Sequence, residues 1–192
     1  MKRISYLLPL ILLLACGSDD KTTNTDKSIA AATGPSAHSA AFNSSFQQLL
    51  DTYYALTGAL AEGNDTLASR LGKTLAAKTD SVNMVGMEKD STIYQTTMAV
   101  LESVKSEAVG MSGEDNIDNR RKSFQMVSEA MYDLVRTVKY DQHTVYHQFC
   151  PMAFNNQGAY WLSNSPDIKN PYFGKAMPEC GETKDSLNFS SK

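Results

Sequence analysis

Between residues 36 and 150 the chain carries no proline, and its apolar positions recur at helical spacing throughout. Phe46, Leu49, Tyr53, Leu56 and Leu60 fall alternately three and four apart, one face of a first helix. Ser44 or Ser45 is placed to cap its start, and Gly63 stands where a left-handed glycine ends a helix. Asn64 or Asp65 can open a second helix with Leu67, Leu71 and Leu75 on one side. A third spans about 91 to 109, with Tyr94, Met98, Leu101, Val104 and Ala108 expected inward. The fourth has the strongest stripe, Ile117, Phe124, Val127, Met131, Leu134 and Val138, with Ser112 as its candidate cap. Arg120 falls on the seam of that stripe, where the favoured reading packs its stem and sends its head to water and the alternative makes it a buried partner for an acidic group. The pattern therefore predicts a mainly α fold, an antiparallel bundle of about four helices joined by short loops.

The pattern changes after Val138. Residues 140–178 hold the only Trp, four of the six Pro and two of the three His. Tyr140 to Phe149 suits a short extended piece, and the aromatic, Cys- and Met-rich remainder suits an irregular cap folded back on the bundle. The domain is thus expected over 43–185, with a tail at 186–192.

The amino terminus reads as an address. Met1-Lys2-Arg3 precedes an apolar run to Ala15, too short for a span of ~20 residues and right for a secretory signal. Leu13-Leu14-Ala15-Cys16 resembles the bacterial lipobox, which implies cleavage of residues 1–15 and lipidation of Cys16. The residue after the cysteine is Gly17 rather than aspartate, which favours the outer membrane over the inner. Residues 16–42, rich in Ser, Thr and Ala, read as a flexible tether holding His38.

Net charge is −3, and removing Lys2 and Arg3 with the signal takes it to −5. An acidic chain without a clustered basic field is not a general nucleic-acid binder. The motifs His-Glu-x-x-His, Gly-x-Ser-x-Gly and Cys-x-x-Cys and a phosphate-binding glycine loop are all missing, so no enzyme is expected.

The residues that remain are soft donors. Cys150 and Met152 share one side if the segment is extended, and Met177 and Cys180 are close enough for one turn to unite them. His147 precedes Cys150 by three. Thiolate, thioether and imidazole together suit Cu(I) or Ag(I), with ligands drawn from His147, Cys150, Met152, Met177 and Cys180. Thioethers make zinc less natural. The alternative is a disulfide between Cys150 and Cys180, which an oxidising envelope favours and which would leave no metal ligands. Met84 and Met87 lie in a loop, His143 is expected to be solvated, and Tyr160 and Trp161 fill core or form a binding surface.

Four motifs in order carry a family resemblance: His147-Gln148-Phe149-Cys150-Pro151-Met152-Ala153, Gly158-Ala159-Tyr160-Trp161-Leu162-Ser163, Asn170-Pro171-Tyr172-Phe173-Gly174 and Met177-Pro178-Glu179-Cys180-Gly181. Over about 45–185 the chain resembles a bacterial envelope domain family of originally unknown function. That family occurs in stand-alone lipoproteins and fused to CusB-like periplasmic adaptors of copper and silver efflux pumps. The resemblance implies a helical bundle in the cell envelope, attachment to a membrane through Cys16 and an efflux adaptor as partner. Its link to copper comes from those fusions.

Overall fold

The computed structural model describes residues 36–190. The signal segment, Cys16 and its lipidation lie outside them. Four long helices form the bundle: α1 (Ala40–Glu62), α2 (Asp65–Thr79), α3 (Ser91–Ser112) and α4 (Ile117–Val138). Each packs on its chain neighbour, the outcome of short connections between amphipathic helices.

The helix ends follow capping chemistry. The Ser39 side chain accepts the Phe42 N–H and starts α1 at Ala40, inside the segment read as tether, so neither Ser44 nor Ser45 is the cap. Gly63 ends α1 at φ 72°, and the Asn64 side chain accepts the Leu67 N–H to open α2, both as the sequence suggests. Asp90 caps α3. Asn116 caps α4, accepting the N–H groups of Asp118 and Asn119, whereas Ser112 is the last residue of α3.

The core contains every residue of the first stripe, together with Leu75, Leu101, Val104, Ala108, Phe124, Val127, Met131, Leu134 and Val138. Met98 departs from expectation. It is exposed, and Thr97 faces inward with its hydroxyl donated to the Ile93 carbonyl, as a neutral polar group needs when buried. A Cβ on Gly72 of α2 would stand 2.5 Å from Cε of Met111, so α2 and α3 approach through a glycine gap.

The cap is more regular than its composition suggests. Strands β1 (Val145–Cys150), β2 (Ala159–Ser163) and β3 (Glu182–Leu187) form an antiparallel sheet in the order β2-β1-β3. Trp161 and Leu162 are buried core. A short helical turn, α5 (Ala153–Asn156), joins β1 to β2, and a 3-10 turn at Gly174–Ala176 precedes β3.

Tyr53 of α1 fastens sheet to bundle. Its ring stacks on Phe124 at 5.5 Å, its hydroxyl lies 2.8 Å from that of Ser128 on α4, and it accepts the Leu162 N–H of β2 at 3.0 Å. Burial pushes the Tyr53 pKa up to about 12, and these hydrogen bonds only partly oppose it. No helix among the described residues is long and apolar enough to cross a membrane.

Candidate functional site

Cys150 is the last residue of β1 and is buried, while Cys180 is half-buried. Cys180 sits in a turn closed by its own N–H donating to the Met177 carbonyl at 3.3 Å. Fully buried Asn170 holds that turn. Its amide Nδ2 donates to the Cys180 carbonyl at 2.6 Å, and its Oδ1 accepts the Tyr172 and Phe173 N–H groups. Gly181 follows at φ 148°, and a Cβ there would be 2.8 Å from the Trp161 ring and 2.9 Å from the Phe149 carbonyl, so only glycine passes. These constraints bring the two sulfurs within 3.0 Å, across thirty residues of sequence.

No disulfide joins the two sulfurs in this structure, and the thiols share a hydrogen bond. The Cys180 pKa is raised, first by its hydrogen bond with Cys150, then by burial and by the Coulombic effect of Cys150, and the Met152 backbone N–H opposes the rise. A nucleophilic cysteine needs the reverse, a cation or base that stabilises thiolate.

The other predicted ligands are distributed differently. β1 pairs with β2 in unbroken register from Tyr146 to Cys150, so side chains alternate and His147 lies on the face opposite Cys150. There it is sandwiched between Tyr132, at 3.9 Å and 17°, and Tyr160, at 4.5 Å and 22°. Burial lowers its pKa, with Asp185 opposing and Arg136 adding. His147 is therefore not brought to the sulfurs, and its place in the ligand set does not survive the strand register. The expectation that Cys150 and Met152 share one extended side also fails. β1 ends at Cys150, Pro151 turns the chain, and Met152 is 47% exposed beside α5. Its backbone N–H hydrogen-bonds to Cys180. Met177 ends the 3-10 turn and is half-buried, one turn from Cys180.

Among the described residues no group of three or more His, Cys, Asp or Glu is disposed to hold a metal ion. A soft cation would therefore rest on sulfur, from Cys150 and Cys180 with Met152 and Met177 as the available thioethers. Sequence reasoning missed Asn170 and Gly181, although both stand in the motifs quoted above, because their role is to shape a turn.

His143 also differs from expectation. It is half-buried, and its Nδ1 is buried without a hydrogen-bond partner.

Residues 49–143 match the model of a family described as a protein of unknown function (DUF3347). The match runs from within α1 to just before β1 and stops short of both cysteines. No curated protein and no solved structure matches the chain.

Proposed function

We propose that this protein is a non-enzymatic, lipid-anchored component of the bacterial cell envelope that binds Cu(I) or Ag(I) and assists metal handling or efflux. The observation that carries the reading is the convergence of the Cys150 and Cys180 sulfurs at 3.0 Å, each with a methionine two or three residues away. The anchor rests on Leu13-Leu14-Ala15-Cys16, and a periplasmic efflux adaptor is the partner that the family resemblance suggests.

Binding one Cu(I) through both thiols releases two protons, so affinity falls as pH falls and the raised Cys180 pKa deepens that dependence. With metal–sulfur bonds of ~2.3 Å, a 3.0 Å sulfur separation closes the angle at the metal to roughly 80°. The sulfurs must part to admit an ion, and Cys180, half-buried where Cys150 is fully buried, is the more accessible of the two.

The same separation favours a second reading. Oxidation of the pair would make a staple between β1 and the Cys180 turn, worth ~2–4 kcal/mol, in an interaction module without metal. Competition of the reduced protein with a Cu(I) chelator separates them. We expect one Cu(I) to transfer, Cys150→Ser and Cys180→Ser to weaken transfer most, and Met152→Leu or Met177→Leu to weaken it less. No transfer to the reduced protein, with equal loss of stability in both cysteine variants of the oxidised one, would establish the staple instead.

A further inference from the structure

The chain leaves β1 through Pro151 and Met152 and enters a turn of the wrong hand. Phe154, Asn155 and Asn156 hold φ of 51°, 59° and 65° in succession. A left-handed conformation costs ~1–2 kcal/mol per residue. Asparagine visits it singly, and phenylalanine rarely. Successive left-handed residues persist only where surrounding structure imposes them, a condition that recurs at ligand sites.

Here the turn forms one wall of an open groove of about 770 Å³, with Asn155, Asn156 and Gln157 facing Lys122 and Gln125 of α4. Phe154 and Phe173 supply its apolar surface, and both continue with Lys122 into an adjoining hollow of about 340 Å³. The polar groups are uncommitted. Among the described residues the side chains of Lys122, Asn155, Asn156 and Gln157 have no hydrogen-bond or ion-pair partner. Gln125 donates its amide to Glu129 and keeps its carbonyl free. Arg121 is occupied by the Pro171 and Leu60 carbonyls and by Asp118, which leaves Lys122 as the charge the groove offers a ligand.

We propose that this groove binds an acidic oligosaccharide. Each side-chain amide presents a donor and an acceptor together, the complement of neighbouring sugar hydroxyls, which also donate and accept. The two phenylalanine rings can lie against the C–H face of a pyranose, and the Lys122 ammonium selects a carboxylate. Sites for small apolar ligands are enclosed and predominantly apolar, with few polar groups. This groove is open, and four of its eight lining residues carry side-chain amides. Met152, offered above as a thioether ligand, also lines the groove, so the two readings share that side chain, but the groove uses neither thiol.

The test is calorimetric titration of the full-length protein with three probes. They are a tetrasaccharide alternating N-acetylglucosamine with glucuronate, the neutral N-acetylglucosamine tetramer, and an acidic tetrapeptide. Glycine adopts the left-handed turn without strain, so Asn155→Gly with Asn156→Gly removes the amides and keeps the backbone. We expect the acidic sugar to bind more tightly than the neutral one and Lys122→Gln to erase that difference. The double glycine variant should weaken both sugars by about tenfold or more, at an unchanged or raised melting temperature. Failure of both sugars to bind, undiminished binding by the double variant, or preference for the peptide would overturn the proposal.

Discussion

Arg120 shows how much one side chain on a helical seam can commit. It is only 3% exposed, and its guanidinium reaches three groups: Nε donates to Asp65 at 2.9 Å, Nη1 to the Met111 carbonyl and Nη2 to the Glu114 carbonyl, both at 2.7 Å. The expected solvated head is instead a buried tie between the end of α3, the start of α2 and α4. Planar, multiply donating geometry is what allows one residue to satisfy acceptors on separate segments. Arg120→Ala would leave the Glu114 carbonyl without this donor, the Met111 carbonyl with only the Glu114 N–H and Asp65 to water, and is expected to cost ~1–3 kcal/mol in urea denaturation. Asp65 is 40% exposed, so water replaces much of what it loses, and Asp65→Asn should cost clearly less. Equal losses would mean that the two carbonyls contribute nothing.

At the scale of elements, α1 is held at its start by a carboxylate from beyond α4. Asp141 accepts the Ser36 hydroxyl at 2.8 Å and the Ala37 N–H at 2.7 Å, just ahead of the Ser39 cap. Burial alone would raise the Asp141 pKa, but hydrogen bonds from Gln142, Ala37 and Ser36 outweigh it and the net shift is downward. A depressed carboxylate stabilises the fold above its unfolded value of about 3.9, and that contribution is lost as pH falls through the folded value. Amide protection over residues 40–46 should therefore drop below about pH 4, faster than in the rest of α1. Asp141→Asn should show weaker protection at neutral pH and little further loss on acidification. A wild-type helix start whose exchange ignored acid would remove Asp141 from this role.

For the whole molecule, three tyrosines join separate segments and a fourth packs beside one of them. Tyr53 links α1, α4 and β2, Tyr172 packs against Trp161 and Phe124, the Tyr140 hydroxyl donates to Gln47, and half-buried Tyr54 packs edge-on to Tyr53. The pKa of each is raised, with burial as the leading cause. A phenol held neutral in the fold contributes stability that is complete below its unfolded pKa near 10 and is lost as pH rises above it. Unfolding free energy should accordingly fall steeply between pH 10 and 12, with Tyr53 contributing over that window. Tyr53→Phe leaves the buried Leu162 N–H without its acceptor, so it should cost ~1–3 kcal/mol at pH 7. The same variant should show a shallower alkaline decline, measured by denaturant titration across that range. An unchanged slope would show that Tyr53 does not titrate with the fold.

The sequence by itself determined the four helices, their main inward faces and the Gly63 stop, and narrowed the α2 cap to Asn64 or Asp65, because each rests on spacing or capping chemistry confined to a few neighbouring residues. It also marked Cys150 and Cys180 as a pair through their motifs, although not how the two sulfurs meet. Only the tertiary structure decided the rest. Strand register put His147 between two tyrosines and away from the thiols, since one residue of register exchanges the faces of a strand. The chain turns at Pro151 and Met152, so Cys150 and Met152 do not share the side of an extended strand. Arg120 and Asn170 became interior residues because their acceptors or donors lay on other segments or inside an unforeseen turn, whereas Thr97 is satisfied within its own helix by the Ile93 carbonyl. Burial of a polar group depends on such partners, and for Arg120 they are brought together only when the chain is folded.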